Sequence, residues 1–161
     1  MRKIKILFVC HGNICRSPMA EFILKDMVKK RGLADTFLIA SAATSTEEIY
    51  HGIGNPVYPP AKAELKKHGI SCEGKRAVQL TKEDYEKYDY LLGMDSCNMK
   101  NMLRILGGDP KKKVKRLLDF TKEPRDIPDP WYSGKFDATY RDVRQGCEAF
   151  LEFIENSFSK Q

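Results

Sequence analysis

The sequence predicts an α/β fold: a three-layer sandwich in which a central four-stranded parallel sheet is flanked by helices. Three observations carry this. Short apolar runs, the mark of strands buried on both faces, occur at residues 4–9, 37–42 and 88–94, with a fourth strand expected at Leu117-Leu118. Stretches with apolar residues at helical spacing lie between them, and strands alternating with helices imply crossovers into a parallel sheet. The first run delivers Cys10 into a turn that opens a helix, the unit with which such sheets place sites at their carboxyl edge.

The elements follow in order. After the first strand, Pro18 suits the first position of a helix, where its missing N–H is no loss, and Ser17 suits the cap before it. Met19, Phe22, Ile23 and Met27 share one face of that helix, Lys29, Lys30 and Arg31 complement its negative end, and Gly32 ends it. The second strand runs into Ser41. Residues 46–60 read as a loop rich in Gly and Pro that carries Glu47, Glu48, Tyr50 and His51. Pro59-Pro60 opens a second helix closed by His68-Gly69, where a histidine complements the dipole. Residues 81–84 have capping-box character and start a short helix. After the third strand, Asp95-Ser96 caps a helix containing Met99, Met102, Leu103 and Leu106. Asp95 suits either that cap or a carboxylate beside Arg16. The basic run at residues 111–116 leads into the fourth strand and reads as a solvated edge. A proline-rich loop at residues 119–132 follows. The last helix buries Tyr140, Val143, Cys147, Phe150, Leu151, Ile154 and Phe158.

The chemistry concentrates in Cys10-His11-Gly12-Asn13-Ile14-Cys15-Arg16-Ser17-Pro18. A turn between a strand end and a helix start aims several backbone N–H groups at one spot and adds the positive end of a dipole. Gly12 and Asn13 tolerate the unusual backbone angles that such a nest requires. The backbone of His11, Gly12, Asn13, Ile14 and Cys15, with Ser17, thus forms a cradle for a phosphate-type oxyanion. Arg16 adds a planar fork able to bind two oxygens. A thiol among N–H dipoles and a guanidinium favours the thiolate, and the Ser17 hydroxyl can donate to that sulfur. Thiolate, cradle and fork together describe attack on phosphorus through a phosphocysteine. Expulsion of the alcohol needs an acid, and the proline-rich loop offers both Asp126 and Asp129. Trp131 and Tyr132 would wall the pocket and accept a phenyl ring, which favours phosphotyrosine over the shorter phosphoserine.

Composition limits the alternatives. The 161 residues are 42% hydrophobic, enough for one core and most simply one domain spanning residues 1–161. A net charge of +6 suits anionic substrates. The basic run lacks interleaved aromatics or a recognisable module, so no nucleic-acid partner is expected. The first apolar run is too short for a signal peptide, and nothing approaches the roughly 20 apolar residues of a membrane span. Five cysteines without metal-ligand spacing suggest free thiols in a cytoplasmic protein, no metal and no cofactor. Cys72, Cys97 and Cys147 are expected to be buried or inert.

These motifs resemble the low-molecular-weight protein tyrosine phosphatases, whose pattern is Cys, five residues, Arg, Ser near the amino terminus. Gly12, Asn13 and Cys15 match within the five, and Asp129-Pro130 matches the family's general-acid loop, which selects Asp129 as the acid and leaves Asp126 in reserve. The resemblance covers nearly the whole chain. It implies the same sandwich, phosphotyrosine proteins as substrates, a cognate tyrosine kinase as a partner, and a monomer. It also implies a hydrogen bond from Asn13 to Ser41 and a reversible disulfide between Cys10 and Cys15 that protects the nucleophile. Animal members carry tryptophan where Glu47 falls, so here that wall would be acidic. They often carry two tyrosines where Trp131-Tyr132 stand. Three rivals remain. Arsenate reduction on the same scaffold would need a relay through Cys72 and Cys97. Protein-arginine phosphatases place threonine where this chain has Ile14, which favours the tyrosine class. A non-catalytic phosphotyrosine-binding module would have lost the nucleophile or the acid, and both are present.

Overall fold

The computed structural model describes residues 2–159. Its main sheet has four parallel strands in the order β2-β1-β5-β6: β1 (Ile4–Cys10), β2 (Phe37–Ala43), β5 (Tyr90–Gly93) and β6 (Val114–Arg116). Because β1 is central, its side chains alternate between two cores. Ile6, Phe8 and Cys10 join one layer with α1 (Arg16–Lys30), α2 (Pro59–Lys67) and α6 (Phe136–Ser159), through Met19, Ile23, Leu65, Val143 and Phe150. Leu7 and Val9 join the other with α3 (Asp84–Lys87) and α4 (Ser96–Leu106), through Tyr85, Met102 and Leu106. A final short helix, α5 (Pro130–Ser133), stands before α6. The predicted three-layer arrangement is the one observed.

Four features differ from the sequence reading, three of them element boundaries. First, α1 begins at Arg16 with Cys15 as its N-cap, so Ser17 lies inside the first turn and is released to bond elsewhere. Pro18 still costs nothing, because the first-turn N–H groups have no partner within the helix. Second, residues 46–60 include a small antiparallel hairpin, β3 (Ile49–Tyr50) and β4 (Ile53–Gly54). Its turn, His51-Gly52, has φ of 49° and 77°, the left-handed pair of a tight hairpin. Third, the fourth strand lies at Val114–Arg116, while Leu117–Phe120 closes a 3-10 turn. The Asp119 carboxylate accepts the Arg116 backbone N–H at 2.9 Å and bends the chain there. Leu117 and Leu118 are buried from that turn. Fourth, Phe158 is 43% exposed, although the rest of the expected α6 face is buried. His68 ends α2 as expected, stacked on Tyr140 with ring centroids 3.6 Å apart.

The fold puts the carboxyl ends of β1 and β5 side by side. The chain leaves β1 toward β2 on one flank and later returns to its other flank as β5. A crevice opens at such a switch in strand order, and it carries Cys10 at one strand end and Asp95 just beyond the other.

Candidate active site

The loop at residues 10–15 is held open from outside. The carbonyl of Cys10 accepts the Thr44 N–H at 3.0 Å, that of His11 accepts Ser45 at 2.9 Å, and that of Ile14 accepts Tyr58 at 2.9 Å. Cys15 O is taken by Met19 N as α1 starts. With the carbonyls turned outward, the N–H groups of residues 11–16 have no protein acceptor among the described residues. They lie at the amino end of a 15-residue helix, where unpaired N–H groups and the helix dipole favour an oxyanion. Asn13 takes the left-handed angle expected of it, with φ of 59°. Gly12 does not. Its value is space: a Cβ there would stand 3.2 Å from Cγ of Glu48.

A buried hydrogen-bond relay reaches Cys10 from behind. The Asn13 amide nitrogen donates to Ser17 Oγ at 2.8 Å and to Ser41 Oγ at 2.9 Å, and its oxygen accepts the Val78 N–H at 3.1 Å. Because Ser17 Oγ accepts from Asn13, its own proton is free to point at Cys10 Sγ, 3.0 Å away. The Ser17 backbone N–H lies 3.4 Å from the same sulfur. The Ser41 hydroxyl donates to Glu21 Oε1 at 2.6 Å. Glu21 is almost fully buried, with Lys25 at 2.6 Å and Lys75 at 3.5 Å. Two donors therefore face the sulfur, which stabilises negative charge on it. The side chains of Asn13 and Ser17 are buried behind the pocket, so they act on its lining and do not themselves form its wall.

Arg16 is 2% exposed and has divided duties. Nη1 donates to Asp95 Oδ2 at 2.5 Å and to the Ile127 carbonyl at 2.8 Å. Nη2 stands 3.6 Å from Asp129 Oδ2, too long for a hydrogen bond. The Nε–Nη2 edge is thus left to grip a ligand with two parallel bonds. Burial works against the charge on Arg16, but Cys10, Asp95 and Asp129 outweigh it and hold the guanidinium above its ordinary range. Both readings of Asp95 hold at once. Its other oxygen accepts Asn98 N at 2.7 Å in a reciprocal capping box on α4.

The pocket so formed, of roughly 370 Å³, is lined by Cys10, Arg16 and the loop, with Glu47 and Glu48 on one side and Asp129, Trp131 and Tyr132 on the other. Asp129 caps α5, its Oδ1 accepting Trp131 N at 3.0 Å while Oδ2 faces Arg16. Trp131 leans on Tyr58, with ring centroids 4.7 Å apart. Tyr132 is 87% exposed at the rim. His11 Nε2 meets Glu47 Oε2 at 3.0 Å across the mouth. Asp126, the reserve acid, lies outside this lining, and Ser96 and Arg116 hold it. Sequence reasoning also missed Tyr58, Val78 and Ile127. All three act through backbone groups, and Tyr58 also stacks on the sequence-distant Trp131, contacts for which no local pattern exists.

The five thiols are all free. Cys15 is buried, and desolvation, followed by the nearby Cys10 charge, pushes its pKa up to about 12. It therefore remains a thiol at neutral pH. Cys72 and Cys147 are buried as expected, and burial pushes both thiols up. Cys97 is exposed, in the first turn of α4. Neither Cys72 nor Cys97 lines the pocket that holds Cys10.

A family model for low molecular weight phosphotyrosine protein phosphatases matches residues 5–160. The chain is 38% identical over 154 residues to the low molecular weight protein-tyrosine-phosphatase YfkJ of Bacillus subtilis, covering 94% of this chain and 96% of that relative. It is likewise 38% identical over 152 residues to the rat low molecular weight phosphotyrosine protein phosphatase, covering 91% and 93% of the two chains. The crystal structure of YfkJ superposes with a TM-score of 0.91 over 98% of both chains, at 36% identity.

Proposed function

Since this chain belongs to the low molecular weight phosphotyrosine protein phosphatase family and is a phosphatase of phosphotyrosine, we propose that Cys10, Arg16 and Asp129 carry its reaction. The thiolate of Cys10 attacks phosphorus, forming the S–P bond as the bond from phosphorus to the tyrosine oxygen breaks. Arg16 and the N–H groups of residues 11–16 hold the three non-bridging oxygens as their charge redistributes. Asp129 gives its proton to the departing phenoxide. In the second step it takes a proton from water as that water attacks phosphorus, and the S–P electrons return to Cys10 as phosphate forms. Ser17 steadies the sulfur as attacker and again as leaving group. The single observation that carries this reading is the placement of Asp129 in one pocket with Cys10, its free oxygen facing the charged fork.

The aromatic side of the pocket supports a phenyl substrate, and Ile14 supports the tyrosine class over phosphoarginine. The positions of Cys72 and Cys97 away from the pocket weigh against an arsenate-reducing relay. We read the chain as one catalytic domain, monomeric, acting on phosphoproteins made by a tyrosine kinase. Five free thiols favour a cytoplasmic setting, and among the described residues no helix is long and apolar enough to cross a membrane.

Leaving-group chemistry tests the role of Asp129. If it protonates the departing oxygen, Asp129→Asn loses roughly 100- to 10,000-fold in kcat/KM on phenyl phosphate and phosphotyrosine. On 4-nitrophenyl phosphate, whose phenoxide leaves with little help, it loses far less. Equal losses on all three substrates would reassign Asp129 to positioning or loop structure.

A further inference from the structure

We propose that Asp126, clamped by Ser96 and Arg116, is a positioning residue for catalysis: it anchors the loop that carries Asp129 and so aims the proton donor at the leaving oxygen. The proposal rests on the reading of Asp129 as the acid.

Three donors converge on one oxygen. Asp126 Oδ1 accepts the Ser96 backbone N–H at 2.9 Å, the Ser96 hydroxyl at 2.9 Å and Arg116 Nη1 at 2.8 Å. Arg116 is itself fixed, because Asp119 takes its Nε at 3.0 Å and its Nη2 at 2.8 Å. The clamp therefore joins the loop to the first residue of α4 and to the end of β6. Partial burial opposes the charge on Asp126, but the bonds from Arg116 and Ser96 outweigh it and hold the carboxyl below the usual range. A carboxylate so occupied accepts hydrogen bonds and has no proton to give.

The route from this anchor to the acid is short and stiff. Ile127 is fully buried, its N–H donates to the Met94 carbonyl at 2.9 Å and its own carbonyl accepts Arg16 Nη1 at 2.8 Å. Pro128 follows with its φ fixed by the ring, and Asp129 is next. Met94, Asp95 and Ser96 thus grip Ile127, Arg16 and Asp126 in turn, so one turn of chain at the start of α4 registers the acid loop against the fork. The Asp126 side chain is 46% exposed. An exposed ion pair contributes little to stability, whereas a misplacement of about 1 Å in a reacting group can cost roughly 100-fold in rate. The consequence of losing this clamp belongs in catalysis more than in folding.

The experiment measures kcat/KM on phenyl phosphate and 4-nitrophenyl phosphate for Asp126→Ala, Ser96→Ala and Arg116→Ala, and for Asp126→Ala combined with Asp129→Asn. Asp126→Ala should lose roughly 10- to 100-fold on phenyl phosphate and about threefold or less on 4-nitrophenyl phosphate. Ser96→Ala and Arg116→Ala should lose less in the same pattern, since each leaves Asp126 with other donors; they also carry the test if Asp126→Ala does not fold. With Asp129→Asn present, Asp126→Ala should add no further loss on phenyl phosphate, because the group it positions is gone. Equal losses on both substrates, no loss, or losses that multiply in the double variant would each overturn the proposal. If Asp129→Asn alone shows no leaving-group dependence, the acid reading itself has failed, an outcome separate from a selective Asp129→Asn with an indifferent Asp126→Ala.

Discussion

Cys10 and Cys15 sit in one loop but face different surroundings. Cys10 receives Ser17 Oγ at 3.0 Å and the Ser17 N–H at 3.4 Å, and it shares the pocket with Arg16. Cys15 packs with Ile14 and Ala77, where burial holds it as a thiol. Replacing the nucleophile by an alcohol keeps the shape and loses the chemistry, so Cys10→Ser should fold and yet show no turnover of 4-nitrophenyl phosphate. A tenth of the wild-type rate would be enough to reject the covalent route. Oxidation follows from the same contrast. Sulfur attacks peroxide oxygen and releases hydroxide, and Cys10, open to the pocket, becomes the sulfenic acid first. That product is uncharged and lies in the same loop as Cys15. Cys15 then displaces water from the sulfenic acid to form the disulfide. Mild peroxide should therefore inactivate reversibly, and recovery with thiol should fall in Cys15→Ser, where Cys10 oxidises further. Peptide mapping that linked Cys10 to Cys72 or Cys97 would refute this pairing.

At the scale of elements, α6 shows where close packing overrides helix propensity. Gly146 is buried in α6 against the 3-10 turn at Leu117–Phe120, and a Cβ there would lie 2.5 Å from Leu117 Cγ and 3.1 Å from Leu118 Cδ2. Alanine in a helix interior gains about 1 kcal/mol over glycine. Overpacking a core that cannot move costs about 1–3 kcal/mol, and Leu117 is fully buried. Gly146→Ala should accordingly lose about 1 kcal/mol in urea unfolding, and a gain in stability would show that the turn yields. The same turn explains what the sequence could and could not disclose. Long elements with a clear period, β1, β2, α1 and α6, were legible, as was the cradle, because its geometry is local. Leu117-Leu118 misled, since two buried leucines look alike in a strand and in a 3-10 turn. The hairpin at residues 49–54 has strands of two residues each, too short for any period, although His51-Gly52 is a readable turn signal. Asp126 lies in the proline-rich loop read from the sequence, but its partners Ser96 and Arg116 are 30 and 10 residues away, beyond any local pattern.

The whole molecule converges on the cradle. The loop closes between β1 and α1; Arg16 ties it to Asp95 at the head of α4 and to Ile127 in the acid loop; Tyr58 and Val78 brace it from the chain that flanks α2. An oxyanion bound there engages N–H groups and a guanidinium that the unfolded chain does not bring together, so it stabilises only the native state. At 100 times its dissociation constant a ligand of this kind adds about 2.7 kcal/mol. For a chain of this size each kcal/mol raises Tm by about 2–4 °C, so inorganic phosphate at that excess should raise it by about 5–10 °C. The increment should survive in Cys10→Ser, whose cradle is intact, and vanish in Arg16→Ala, whose fork is gone. Each variant is compared with itself, with and without phosphate, because Arg16→Ala also leaves Asp95 without its buried partner and lowers the starting Tm. A phosphate increment that persisted undiminished in Arg16→Ala would place the principal anion site elsewhere, on the surplus of surface lysine and arginine that gives the chain its charge of +6.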